Sequence, residues 1–242
     1  MVNESEMKNS GAARVLWVST AGFTLLFAVW LMFGVLALPI RKELSLSDVQ
    51  FAWLTAIAIL NGSIWRLAFG ILADRQGGRR VMTGLLLATA VPTALVSFAH
   101  SYGLLLFLAF CFGMAGNAFS AGVAWNSAWF PQGRKGFALG VFGAGNVGAS
   151  VTKLIGPAMI TLIPAAGMAG GVIPGGWRFI PLMYAVLLVV MGVITWLVAP
   201  VDVTPSRGRA IRELLRPLGC VRVWRFCLYY VVMFGAYVAL SV

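Results

Sequence analysis

Apolar positions in this chain run together instead of alternating. Stretches near Val15–Leu38, Phe51–Leu72, Val81–Ala99, Gly103–Trp125, Leu139–Ile163 and Phe179–Ala199 predict six apolar helices, and a seventh is expected from about Val223 to Val242. Each is long enough to cross the hydrocarbon core of a bilayer, which takes roughly 20 residues at about 1.5 Å of rise apiece. The strands of a membrane barrel would alternate apolar and polar over about ten residues, and that pattern does not occur here. Polar segments between the runs are short, except for the basic stretch Asp202–Arg222. The expected organisation is a six-helix bundle over residues 1–200, a cytoplasmic linker over 201–222, and the first span of a second bundle over 223–242. The last residues, "VALSV", fall within an apolar run and carry no polar tail. They lead us to expect the first half of a longer protein plus one more helix.

Composition fixes the class. Sixty per cent of the 242 residues are hydrophobic and only 10% are charged, against roughly 25% charged in soluble domains. This is an all-α polytopic membrane protein whose first partner is the lipid bilayer. A formal charge of +11 would suggest nucleic acid in a soluble protein. Here the cations gather in loops, so no nucleic-acid role follows. With the N-terminus inside, 13 Lys and Arg fall in inner segments and 3 in outer loops, leaving Arg66 and Lys153 within spans. The inner set includes Lys8, Arg134, Lys135 and the linker arginines from Arg207 to Arg225. That bias predicts a cytoplasmic N-terminus in the inner membrane. The N-terminus lacks a cleavage site behind a short apolar core, so the first run reads as a retained span. Cys111, Cys220 and Cys227 are odd in number and suggest neither disulfides nor a metal site. His100, at the end of a span, reads as a solvated loop residue. No acidic pair, metal-ligand cluster or nucleophile–base arrangement occurs in the spans, so neither an enzyme, a metal nor a cofactor is expected.

Between the second and third spans stands "GILADRQGGRR", with Gly70, Asp74, Arg75, Gly78, Arg79 and Arg80 at fixed spacing. Gly70 would let helices approach closely, and Gly77 with Gly78 would allow a tight turn. Asp74 could accept hydrogen bonds from neighbouring helix ends while the arginines stay at the membrane surface. The loop resembles the signature of the major facilitator superfamily, in sequence and in its place after the second span. That resemblance implies twelve spans in two six-helix halves, with a site at the midplane between them. This chain would hold the first half and the start of the second.

A second stretch, "GVFGAGNVGASVTKLIGPAM" from Gly140 to Met159, carries five glycines, an asparagine and a lysine inside an apolar run. Ala144, Gly148, Thr152 and Gly156 recur every four residues and predict a stripe for close helix packing. Asn146, Ser150 and Lys153 fall on an adjacent polar face. Polar groups at membrane depth are expensive and usually face a cavity. Arg66 in "LNGSIWRLAFG" is another, costing at least about 2.5–3.5 kcal/mol on insertion scales. Asp74 lies about two turns further along, roughly 12 Å, which makes a local ion pair a poor explanation. A guanidinium's planar fork of donors matches a planar oxyanion.

Together these residues resemble the nitrate/nitrite porter family. "FGAGNVGASVTK" is similar to its nitrate signature, and Arg66 falls where its anion-binding arginine lies. "GNAFSAGVAWNSAWFPQGRKGFALG" is similar to its fourth span and following loop. The resemblance leans toward the type I branch, associated with proton-coupled nitrate uptake, whereas type II is associated with nitrate/nitrite exchange. It implies that Arg66 binds the anion, Asn146 donates a side-chain hydrogen bond to it, and Phe119 forms an apolar wall. Tyr230 and Phe234 of the seventh span would flank the anion from the other half, and Gly143, Gly145 and Gly148 would allow close backbone approach. Lys153 has three open readings: positive potential near the path, proton coupling, or a contact to a helix carbonyl. The family's second arginine and second glycine-rich motif would lie beyond Val242, in a missing C-terminal half or a partner chain. The expected function is alternating-access transport of nitrate or nitrite. The alternatives are a facilitator for another small or organic anion, and a non-transporting fragment or sensor.

Overall fold

A computed structural model describes residues 4–164, 167–168, 173–202, 204 and 208–241. The expected positions Arg207 and Val242 lie outside the described residues. Among those described, the structure is helical, with a single isolated bridge between Met168 and Ile173. Among the described residues five helices are long and apolar enough to cross a membrane, and up to seven spans result if each of two bent helix pairs is one span.

The first span, Ser10–Leu36, takes in most of α1 (Glu4–Trp30) and the start of α2 (Phe33–Leu44), and the second joins α3 (Asp48–Ile64) to α4 (Arg66–Gln76) across a 43° bend. α5 (Gly78–Val96) is the third. The fourth runs through α6 (Tyr102–Phe112), a 3₁₀ turn at Gly113–Asn117 and α7 (Ala118–Trp129). The fifth is α8 (Gln132–Gly143), a 3₁₀ turn at Ala144–Asn146 and α9 (Val147–Leu162). α10 (Phe179–Val198) is the sixth. The basic stretch beyond it is partly ordered as α11 (Ile211–Leu215) and a 3₁₀ turn at Arg216–Gly219, followed by α12 (Val221–Ser241). The chain divides into two compact units, Met1–Pro205 and Ser206–Val242.

Local chemistry explains the boundaries. Ser47 and Gln50 form a capping box that starts α3, and the Ser101 hydroxyl accepts the N–H of Leu104 to start α6. Helix α1 begins well before the apolar run. The 3₁₀ turns fall where Gly and Asn cluster, "GMAGN" and "AGN", residues of weak helix propensity.

In the first unit α1 is central and packs on α7, α9 and α10, while α5 pairs with α10 and α4 with α7. Aromatic residues fill the space: Trp30, Trp125, Phe23, Phe27, Phe33, Phe112 and Phe142 are fully buried. Leu154, Leu162 and Leu197 stand on the outside, as expected of a surface facing hydrocarbon.

Each end of the unit is braced by one residue. At the basic end Asp202, past the end of α10, accepts the backbone N–H of Arg79 at 2.7 Å and of Arg80 at 3.3 Å. At the other end Arg178 donates to the carbonyls of Ser97 and Ala99 at 3.1 and 2.7 Å and pairs with Glu43. His100 is exposed, with its Nδ1 3.2 Å from the same guanidinium.

Candidate functional site

Three spans change their winding close to mid-length. Trp65 interrupts the second with φ −86° and ψ 2°, Gly113–Asn117 tightens the fourth, and Ala144–Asn146 tightens the fifth. Each break lies within about one helical turn of its span's midpoint. The Gly113–Asn117 turn packs against α1 and α3, and Ala144–Asn146 packs against α1. Broken helices at membrane depth are tolerated where they are buried in protein or line a cavity.

Arg66 is the first residue of α4, immediately after the break. It is half-buried, and its Nε donates to the Gly62 carbonyl at 3.4 Å, closing the end of α3. Its guanidinium carbon stands 5.8 Å from the ring of Trp30 and 5.8 Å from that of Phe119. Both distances are within cation–π range, worth about 0.5–2 kcal/mol depending on desolvation. Trp30 is itself fixed, its Nε1 donating to the Ala58 carbonyl at 2.9 Å. A Cβ on Gly62 or Gly116 would come within 2.6 Å of that indole, so these two glycines make room for the plate beneath the arginine.

Phe119 belongs to a continuous aromatic layer. Its ring lies 5.6 Å from Phe23 and 6.0 Å from Phe142, and those two stack at 4.8 Å. Phe142 stands one turn before Asn146 on the fifth span. The layer therefore joins the first, fourth and fifth spans, and Arg66 of the second meets it at Phe119. Asn146 is half-buried in its 3₁₀ turn, and its Oδ1 is enclosed without a hydrogen-bond partner among the described residues. Lys153 is half-buried on α9.

The glycine-rich segment turns mainly toward α1. A Cβ on Gly148 would fall 1.9 Å from the Thr24 carbonyl oxygen, and one on Gly145 would fall 2.5 Å from Phe23. Gly143 has nothing within 4 Å. The expected stripe holds from Gly148 through Thr152 and Gly156, which are all buried, but Ala144 is exposed. The 3₁₀ turn advances about 120° per residue instead of 100°, so the register slips and Gly145 takes the place expected for Ala144. Ser150 is exposed, which removes it from the polar face shared by Asn146 and Lys153.

In the signature loop, Gly77 adopts φ +99°, and a Cβ on Gly78 would lie 2.0 Å from Trp125. Gly70 is less constrained, with its nearest neighbour at 3.7 Å. The carboxylate that receives a helix end is Asp202, the role the sequence suggested for Asp74. Arg79 rests its guanidinium 4.4 Å from the Trp196 ring, and Arg80 reaches Asp202 at 4.0 Å. In the second unit Tyr230 and Phe234 stack at 5.1 Å with an 11° interplanar angle.

Sequence reasoning missed Trp30, Phe23 and Phe142, because an aromatic in an apolar run looks like any other core residue. The available signal was the pair of small residues opposite Trp30, Gly62 and Gly116. No cluster of metal-binding side chains occurs among the described residues.

Comparison with known proteins bears on this geometry. The family model described as Major Facilitator Superfamily matches residues 18–242. The chain is 65% identical over 237 residues to the probable nitrate/nitrite antiporter NarK1 of Thermus thermophilus, covering 98% of this chain and 54% of that protein. It is 29% identical to the probable nitrate/nitrite transporter NarK2 of Mycobacterium tuberculosis, covering 97% and 57%. The chain thus spans about half the length of the curated relatives it matches. Among solved structures, a bacterial homolog of the human lysosomal transporter Spinster, in an inward-facing and occupied conformation, superposes with a TM-score of 0.69 at 21% identity. That match covers 81% of this chain and 45% of the other, and it supports the fold.

Proposed function

Since the chain belongs to the Major Facilitator Superfamily, we propose that it forms the N-terminal half of a nitrate/nitrite porter that works by alternating access. The observation that carries this reading is Arg66: a half-buried guanidinium at a mid-span helix break, flanked at 5.8 Å by Trp30 and by Phe119. Aromatic walls lower the local dielectric, which strengthens attraction to an anion while hydration is being stripped. The guanidinium offers a planar fork to a planar oxyanion. Asn146 turns its amide to the same anion, and Gly143 gives backbone access. The remaining spans of the second bundle come from a C-terminal half or from a partner chain. The orientation we infer puts the N-terminus and the basic loops on the cytoplasmic side of the inner membrane.

Neutralisation of the positive midplane by the bound anion allows the two halves to rock past one another. We read the mode as nitrate/nitrite exchange, supported by the antiporter name of the Thermus relative. Under exchange, Lys153 supplies fixed positive potential along the path. Proton-coupled uptake is the competing mode. Proteoliposomes holding the complete gene product separate them: exchange requires nitrite inside and ignores an imposed pH gradient, whereas symport follows the gradient with nothing inside. Competition by acetate or larger carboxylates as effective as by nitrite would remove the small-anion reading altogether.

A further inference from the structure

Within the second unit, the helix α11 and the 3₁₀ turn behind it form one short rod, Ile211–Gly219, which meets α12 at 78°. With α12 across the bilayer, a rod at that angle runs along the membrane surface. Its residues sort by helical spacing. Ile211, Leu214, Leu215 and Leu218 recur at i, i+3, i+4 and i+7 and share one side. Arg212 and Arg216 lie on the other, with Arg209 ahead of the rod and Arg222 and Arg225 just past it. Glu213 is the one acidic residue between Gly208 and Arg225.

The corner is held by specific bonds. Trp224 donates its Nε1–H to the Leu218 carbonyl at 2.7 Å, and the Cys220 N–H donates to the Pro217 carbonyl at 2.9 Å. Ile211 is 53% exposed and Trp224 61% exposed, while Leu214 and Leu215 are half-buried, so apolar surface remains open at the ends of the rod's leucine side and at the corner. A preference for inner-side cations asks only for charge in this segment. It requires neither an apolar side nor a fixed corner.

We propose that this rod is an interfacial anchor for anionic phospholipid. Its leucine side enters the boundary between headgroups and acyl chains, as amphipathic surface helices do. Its Arg212 and Arg216, with the flanking Arg209, Arg222 and Arg225, engage phosphodiester groups in a leaflet of net negative charge. Trp224, at the corner, sits at headgroup depth, where indoles concentrate. The anchor pins the start of α12 at a set depth, independently of what the transporter carries.

The test uses the whole chain in nanodiscs of phosphatidylcholine, with and without phosphatidylglycerol. Cys111, Cys220 and Cys227 are replaced by serine, and a spin label is placed by Leu214→Cys or, as the opposite side, Glu213→Cys. With phosphatidylglycerol present, the Leu214 position becomes shielded from a water-soluble relaxation agent and the Glu213 position stays open to it. Retention of phosphatidylglycerol through purification falls roughly fivefold for each arginine removed, on the order of a hundredfold in an Arg212→Gln, Arg216→Gln, Arg222→Gln chain. Equal water access at both positions, or retention unchanged by the triple substitution, overturns the proposal.

Discussion

The carboxylate of Asp202 accepts the backbone N–H of Arg79 at 2.7 Å across 123 positions of sequence. A second bond, from the Arg80 N–H at 3.3 Å, makes Asp202 the cap of α5, delivered from beyond the end of α10. It therefore closes the loop between the second and third spans onto the sixth. Removing the acceptor by Asp202→Ala is expected to destabilise the first unit by about 1–2 kcal/mol, and Asp202→Asn, which keeps an oxygen, by less. Thermal unfolding in detergent measures the difference.

The same carboxylate makes stability depend on pH. Burial raises the Asp202 pKa, opposed by the hydrogen bonds from Arg79 and Arg80. A raised folded-state pKa means that the contribution is present below the ordinary aspartate value, about 3.9, and is lost as pH rises through the raised value. The Asp202→Asn chain is expected to lack that downward slope when unfolding is followed across mildly acidic pH.

Glu43 has the opposite sign. Burial would raise its pKa, but hydrogen bonds from Arg178 and Trp177 and the charge of Arg178 outweigh that and leave it lowered. Its contribution is present above the ordinary glutamate value and fades as pH falls through the lowered one. Being partly exposed, the pair is worth little in salt. Glu43→Gln is expected to flatten the acid limb of the unfolding profile below about pH 4.

Two glycines of the fifth span separate packing from ligand contact. Gly148→Ala sets a Cβ 1.9 Å from the Thr24 carbonyl oxygen, a backbone atom that cannot swing aside. Folded yield is expected to collapse. Gly143→Ala meets nothing within 4 Å, so the chain should fold normally. Any loss of transport in the complete protein then reports on the site. Size-exclusion profiles of the two variants, side by side, check this.

Much of the architecture was legible in sequence, because hydropathy over a span-length window survives local irregularity. The apolar spans and the all-α class emerge that way, while the superfamily loop is read from the spacing of its motif and its place after the second span. The mid-span breaks did not, since a 3₁₀ turn leaves hydropathy unchanged and moves only the register, as Ala144 and Gly145 illustrate. Trp30 was invisible for a different reason: its role comes from Gly62 and Gly116 opposite it, on two other spans. Asp202 read as one more linker residue, because a cap contributed from 123 positions away leaves no local signature. The rod at Ile211–Gly219 was masked by its arginines, which suggested only orientation.

The most direct measurement of the central claim is uptake of isotopically labelled nitrate by the complete protein carrying Arg66→Lys. Lysine keeps the positive charge and loses the planar fork. Losing a charge-assisted bidentate contact costs about 2–3 kcal/mol, so transport should fall roughly 30- to 150-fold while the protein still reaches the membrane. Nitrate uptake at the unsubstituted rate would contradict the assignment of Arg66 as the anion-binding residue.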